Sequence, residues 1–408
     1  MPGGPGLRGL LGSIGSASRL DPRARFAAQV QAALRSRSGA RYTYAPGDFA
    51  LRRSGTDHVV FLANIFATCQ NLPRHLKRQQ IAGFVTSLAE ADQPLPTTFD
   101  QARPALMPVV RAMADWDAVQ RHGGQQGKAI AMSPPGIRIG EELGVWLALD
   151  RLNSVSHLKA STLDSWKVDF ATAYAVAEEN LRARTARPFE RRDDGVYASS
   201  WHDAYDSSRL LLPDLLRALP LDGPPVAMVP NRDWLLVADS ARPAAWERLG
   251  ALAAEIFSLP RPLSAAVLQP GPQGWETVAL DPARPEHHAL LALQRRALAG
   301  RYSEQKRLLD EARQSTGNGV FAGSVFEVDD PAAGAYTLAV WGNGMHALLP
   351  HVDRIGFKDS PDAPVQQVPW DEAVRLAGAL MQPMGWFPER WLVEVYPEPA
   401  IIAQMARA

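Results

Sequence analysis

GVYASSWHDAYDSSRLLLPDLLRALPLDGPPVAMVPNRDWLLVADS (195–240), followed by SAAVLQPGPQGWETVAL (264–280), is the most legible stretch of the chain. GVYASSW (195–201) reads as a strand from its β-branched and aromatic content, and Asp206 to Leu219 as a helix. VAMVP (226–230) and WLLVAD (234–239) are short apolar runs joined by the turn residues Asn231-Arg232-Asp233. Ala244 to Phe257 has helical spacing, and SAAVLQP (264–270) with WETVAL (275–280) forms a hairpin across GPQG. The order β-α-β-β-α-β with one added strand predicts an α+β fold. It would be a two-layer α/β sandwich with a ferredoxin-like split βαβ unit over about 195–280, its helices on one face of an antiparallel sheet.

Working toward the N-terminus, Leu163, Trp166, Phe170, Tyr174, Ala177 and Leu181 keep one helical face apolar, with Ser161 or Thr162 as cap and Asp169 able to restart the helix. VWLALD (145–150) is a strand, and Ala105 to Met113 reads as a short helix with Pro108 near its start. Ile81, Phe84, Val85 and Leu88 follow the amphipathic helical pattern, and RYTYAPGDFALRR (41–53) reads as a hairpin around Pro46-Gly47. HGGQQGKAIAMSPPG (122–136) is a sub-boundary candidate, and the Gly/Ser/Pro-rich residues 1–20 a flexible tail. Toward the C-terminus a proline-rich junction, ALDPARPEHH (279–288), separates the region 21–281 from a second, C-terminal α+β unit, 285–408. That unit would hold two helices, about 286–299 and 302–314, then strands with a hairpin at Gly342-Asn343-Gly344.

Residues 178–280 resemble the YtpQ-like family of uncharacterised bacterial proteins, a domain of unknown function. The likeness is carried by Asn180-Leu181-Arg182, Trp201, the run Ala204-Tyr205-Asp206-Ser207-Ser208-Arg209-Leu210, VAMVPNRDWLLVADS and PLSAAVLQPGPQGWETVAL. LMPVVR (106–111) extends it, so the resemblance spans roughly 20–280. It implies no activity, because that family has none established.

Composition narrows the function classes. The chain has 408 residues, 46% of them apolar, and its 43 Lys+Arg balance 43 Asp+Glu, so no global field recruits nucleic acid or anionic lipid. One cysteine, Cys69, in an apolar helical stretch, excludes an internal disulfide and points to a reducing, cytoplasmic setting with a buried inert thiol. No apolar run reaches the roughly 18 residues of a membrane span. The nine histidines form no HExxH, and neither Gly-x-Ser-x-Gly nor a phosphate-binding GxxxxGK[ST] occurs, so no metal, cofactor or catalytic assignment is made. Neighbouring acids such as Glu141-Glu142 read as solvated surface, and Pro350-His351-Val352-Asp353-Arg354 as a polar loop with no nameable reaction.

What remains is a polar group comprising Asn180, Arg182, Trp201, His202, Asp203, Tyr205, Asp206, Ser208 and Arg209. A loop leading from strand to helix would gather several of them, with Asp206 capping the helix that follows through the N–H of Ser208 or Arg209. Two readings compete. The first is a cytoplasmic bacterial protein, non-enzymatic, that binds or regulates another protein, with no nucleic acid or membrane partner. The second is a hydrolase or transferase with its site near 201–209. Convergence of His202, Asp203, Asp206 and Arg209 into one cleft would favour the enzyme; their use as caps and ion pairs would favour the binding protein.

Overall fold

A computed structural model describes residues 21–56, 59–91, 93–122, 134–192, 195–272, 274–317, 319–330 and 334–405. The expected N-terminal tail and most of the 122–136 linker lie outside the described residues. The class is α+β, and the chain divides into two compact units. One takes in the chain up to Leu95 together with Arg151–Ser156; the other comprises Pro96–Asp150 and His157 onward.

In the smaller unit the expected hairpin forms: Tyr42–Ala45 pairs antiparallel with Ala50–Arg53, and Val59–Phe61 adds a third strand. Helices Pro22–Ser38 and Arg74–Ala91 close over it. Phe26, Val30, Leu34, Leu51, Ile81, Val85 and the buried Cys69 make the core. Phe66 meets Phe26 and Phe49 edge-on at 5.2 Å. Arg151 donates to the Glu90 carbonyl at 2.6 Å and the Asn153 N–H to the Glu90 carboxylate at 2.7 Å, which ties this returning segment to the end of the helix.

The larger unit is built on a six-stranded antiparallel sheet. From one edge its strands are Gly274–Thr277, Leu268–Gly271, Pro225–Asn231, Trp234–Asp239, Val196–Ala198 and Glu190–Arg191. Each helical crossover skips one strand, so the split βαβ character is present. The strand order departs from the ferredoxin-like one: the hairpin 225–239 occupies the centre, and the first and last strands of the motif flank it. The hairpin is apolar on both faces and therefore takes the position buried from both sides.

That same double-sided burial corrects the two-layer expectation. Val226, Met228, Leu236 and Ala238 pack under the Pro243–Phe257 helix with its Trp246, Leu249 and Ala253. Ala227, Val229, Leu235 and Val237 face the other way, onto Val110, Leu143 and Val145 of a second sheet. In that second sheet Leu106–Ala112, expected as a helix, is a strand paired with Leu143–Asp150. Its run LMPVV carries two β-branched valines and is buried throughout, and Pro108 is tolerated because the strand lies at a sheet edge. Asp206–Leu219 also departs from a single helix. A 3₁₀ turn at Ser207–Leu211 precedes the short helix Pro213–Arg217, because Pro213 lacks the N–H an uninterrupted helix requires. The Asp169 cap forms as expected, accepting from Thr172 N–H at 2.7 Å, while the helix before it is capped by neither Ser161 nor Thr162 but starts after Lys159.

No boundary separates 285–408 as an independent unit. Residues His288–Thr316 form one continuous helix, not two, and its Leu290, Leu293 and Ala297 complete the core over the Pro243–Phe257 helix. Beyond it lie two four-stranded sheets. One is ordered Phe321–Ala322, Ala347–Pro350, Arg390–Val393, Gln382–Pro383; the other Phe326–Asp330, Gly334–Gly342, Arg354–Lys358, Gln366–Pro369. They share the core of Trp341, Leu349, Ile355, Phe357, Trp370 and Val393. Gly342-Asn343-Gly344 turns the chain, with Gly344 at φ 72°, but delivers it into the other sheet, so the expected hairpin is absent there. The fully buried Arg390 fastens the long helix to this region. Its guanidinium donates to Gln305 Oε1 and to the carbonyls of Gly323, Leu348 and Tyr302 at 2.5, 2.9, 2.8 and 3.2 Å. Burial pushes its pKa down to about 10.

Candidate functional site

Residues 201–209 do come together, and the charged groups of Asp203, Asp206 and Arg209 are spent on one another and on backbone, while Trp201 Nε1 and Ser207 Oγ are buried without a hydrogen-bond partner among the described residues. The Asp206 carboxylate, fully buried, accepts from the backbone N–H groups of Trp201, His202 and Asp203, each at 3.3 Å. It therefore does not cap the helix after it. It holds the loop before it, in which His202 (φ 52°) and Ala204 (φ 70°) adopt the left-handed conformation. Each such non-glycine residue costs on the order of 1–3 kcal/mol, so the loop needs a fixed acceptor.

Arg209, also fully buried, closes the knot. Nη1 and Nη2 donate to the two Asp203 oxygens at 2.8 and 2.7 Å, Nε to Thr185 Oγ1 at 3.1 Å, and Nη2 also to the Arg184 carbonyl at 3.3 Å. The guanidinium lies over the Trp201 ring, 4.2 Å from its centre. Burial works to raise the Asp203 pKa, but the paired Arg209 and the Tyr205 N–H outweigh it and hold the carboxyl below the usual range. Tyr205 Oη donates to Asp150 Oδ1 at 2.8 Å, and burial with that carboxylate drives the phenol pKa well up. Ser208 Oγ accepts from Val110 N–H at 3.3 Å, pinning the edge strand.

The other members of the predicted group fall outside the knot. Asn180 Nδ2 bonds the carbonyls of Arg103 and Leu106 at 2.7 and 2.8 Å, and Arg182 pairs on the surface with Asp214 and Glu178. His202 is exposed, its ring against the edge of Trp234 at 5.9 Å. No nucleophile with an adjacent base results.

A concavity that the sequence did not announce lies elsewhere in the larger unit. A cleft of about 600 Å³ is lined by Glu141, Asp353 and Asp371 with one cation, Arg295, beside Thr337, His351 and Trp370, and by the apolar Val278, Leu291 and Leu298. Asp353 is aimed by Thr337, whose N–H and Oγ1 donate to Oδ2 at 2.6 and 2.8 Å. Among the described residues no cation lies within ion-pair distance of Glu141, Asp353 or Asp371, whereas the neighbouring Glu142 is taken by Arg301 at 3.1 Å. The His351 ring stacks edge-on against Trp370 at 4.6 Å. Burial lowers its pKa despite the opposing pull of Asp353, Asp371 and Glu141, which favours the neutral ring. Three carboxylates without an ion-pair partner outnumber the one lining cation, Arg295, and beside the apolar residues they suit a cationic group on an aliphatic stem.

Among the described residues no group of three or more His, Cys, Asp or Glu is arranged to hold a metal, and no helix is long and apolar enough to cross a membrane. No family model matches the chain, and no curated protein or solved structure matches it either.

Proposed function

We propose that this chain is a non-enzymatic binding or regulatory protein whose partner is another protein, and that the partner presents a basic segment to the acidic cleft. The observation that carries the reading is the trio Glu141, Asp353 and Asp371, carboxylates without an ion-pair partner among the described residues, lining a concavity beside apolar residues. An arginine or lysine side chain would lay its stem along Leu291 and Leu298 and its charge against the carboxylates. The alternative of a hydrolase or transferase at 201–209 loses support, because Asp203, Asp206 and Arg209 are engaged by each other and by backbone. The YtpQ-like kinship and the cytoplasmic setting belong to the same proposal. They rest on the 204–210 run and on the single cysteine.

The test is fluorescence anisotropy with a labelled peptide alternating arginine and leucine, beside its glutamate counterpart. Saturable binding of the basic peptide alone, weakened by salt and at least tenfold by Asp353→Asn or Asp371→Asn, is the expected outcome; tenfold corresponds to about 1.4 kcal/mol. Equal binding of both peptides, or variants indistinguishable from the parent, would refute the reading.

A further inference from the structure

A second polar recess, of opposite sign, is assembled beside the 201–209 knot from segments distant in sequence. Arg111 stands near the end of the edge strand Leu106–Ala112, next to Val110, which Ser208 pins. Ser207 N–H donates to the Arg232 carbonyl at 3.4 Å, bringing the tip of the central hairpin to the same place. Arg261, held at φ 69°, accepts the Arg232 N–H on its carbonyl at 3.4 Å and so adds a third arginine. Arg232 and Arg261 reach a single carboxylate, Asp233, at 3.1 and 3.7 Å. Among the described residues Arg111 donates only to the Val110 carbonyl, at 2.7 Å, and no carboxylate lies within ion-pair distance of its guanidinium.

The charges around this recess do not cancel. Three guanidinium groups face two carboxylates, Asp233 and Asp115, and the nearby Arg301 is already committed to Glu142. The consequences are visible in the neighbours. Burial, followed by Arg232, pushes the Arg111 pKa down to about 10. His157 is solvent-exposed, yet surrounding protein together with Arg111 and Arg232 pushes its pKa down to about 4. A neutral imidazole there can donate one hydrogen bond without adding charge.

We propose that this recess binds an oxyanion, the phosphate group of a small molecule. Its oxygens take hydrogen bonds from the Arg111 and Arg232 forks and from the His157 ring N–H. Planar guanidinium forks match phosphate oxygens two at a time, and the bound anion supplies the counter-charge that Arg111 lacks. The site is independent of the acidic cleft, which would repel the same ligand.

The experiment is calorimetric titration of the full chain with inorganic phosphate and with pyrophosphate, with acetate as the carboxylate arm. In parallel, the His157 ring protons are followed by NMR against pH, assigned through His157→Gln. Expected are saturable one-to-one binding of phosphate or pyrophosphate in preference to acetate and a rise of the His157 pKa on saturation. Arg111→Gln and Arg232→Gln should each weaken binding at least tenfold, with Arg307→Gln, on an exposed helix face, unchanged. The His157 shift is read on the unaltered protein, so it holds even if Arg111→Gln fails to fold. Absence of saturable binding, an unmoved His157, tighter binding of acetate, or affinity that survives Arg232→Gln would overturn the proposal.

Discussion

Removing the Arg209 charge should be among the most damaging single changes in the larger unit. Arg209→Met keeps the length and the apolar stem but deletes the fork that holds Asp203 twice, Thr185 Oγ1 and the Arg184 carbonyl. Breaking a buried ion pair by removing one partner costs about 3–5 kcal/mol. The Asp203 side chain is 30% exposed and can recover some water, which moves the expectation to the lower part of that range. Loss of the cation over Trp201 adds roughly 0.5–1 kcal/mol, giving a total of about 3–4 kcal/mol. Asp203→Asn should approach the same cost despite its partial exposure, because it strands a fully buried cation. The double variant should then be little worse than either single one, a coupling of about 2–3 kcal/mol. Denaturant midpoints of the four proteins, with Arg209→Lys as a milder fifth, measure this. A midpoint shift worth less than about 1 kcal/mol for Arg209→Met, or strictly additive single variants, would refute the reasoning that this pair closes the loop.

Arg390→Met should cost about 3–5 kcal/mol in the same assay, since it strands the Gln305 Oε1 and three backbone carbonyls in the interior; a loss under about 1 kcal/mol would contradict the account. His157 is neutral when folded down to about pH 4 but titrates near 6.5 when unfolded, so the stability it confers is full above about 6.5 and drains away as pH falls through about 4. His157→Gln should therefore flatten the fall in stability over that window, and identical pH profiles for parent and variant would count against it. A fragment of residues 21–281 should melt without cooperativity or aggregate, because Leu290, Leu293 and Ala297 are missing from the core over Trp246 and Leu249; a sharp cooperative melt by circular dichroism would restore the boundary at the proline-rich junction.

Which elements were legible in the sequence follows from how local their causes are. The hairpin 42–53, the Asp169 cap and the central strands 226–230 and 234–239 are written in consecutive residues, and they form where expected. Leu106–Ala112 is ambiguous in sequence because an apolar run looks alike in a buried strand and a short helix, and pairing with Leu143–Asp150 decides it. Gly342-Asn343-Gly344 marked a turn correctly but could not say into which sheet the chain turned. In the candidate group, proximity is legible and use is not: Asp203, Asp206 and Arg209 meet, but only the fold shows that their charged groups are engaged by each other and by backbone, while Trp201 Nε1 and Ser207 Oγ are left buried without a partner among the described residues. The acidic cleft draws on positions 141, 353 and 371, and no spacing rule links residues so far apart.

Equal totals of 43 cations and 43 anions excluded a field over the whole molecule, and that inference concerns only the sum. Charge is sorted within the larger unit. Glu142 and Arg301 neutralise each other, leaving Glu141 with Asp353 and Asp371 as free acids on one side, and Arg111 with Arg232 and Arg261 in cationic excess at another site. Beyond a Debye length of about 8 Å at physiological salt such groups largely cease to feel one another, so zero net charge and two oppositely charged concavities are compatible. The arginines of the knot and the core behave differently. Arg209 and Arg390 are buried and bonded through all three guanidinium nitrogens, and they act as crosslinks. The distinction that matters for function is therefore between arginine engaged on all three guanidinium nitrogens and arginine engaged on one. By that criterion Arg111, bonded among the described residues only to its neighbour's carbonyl, is the cation best placed to meet a ligand, and Arg209, the most conspicuous in the sequence, is not.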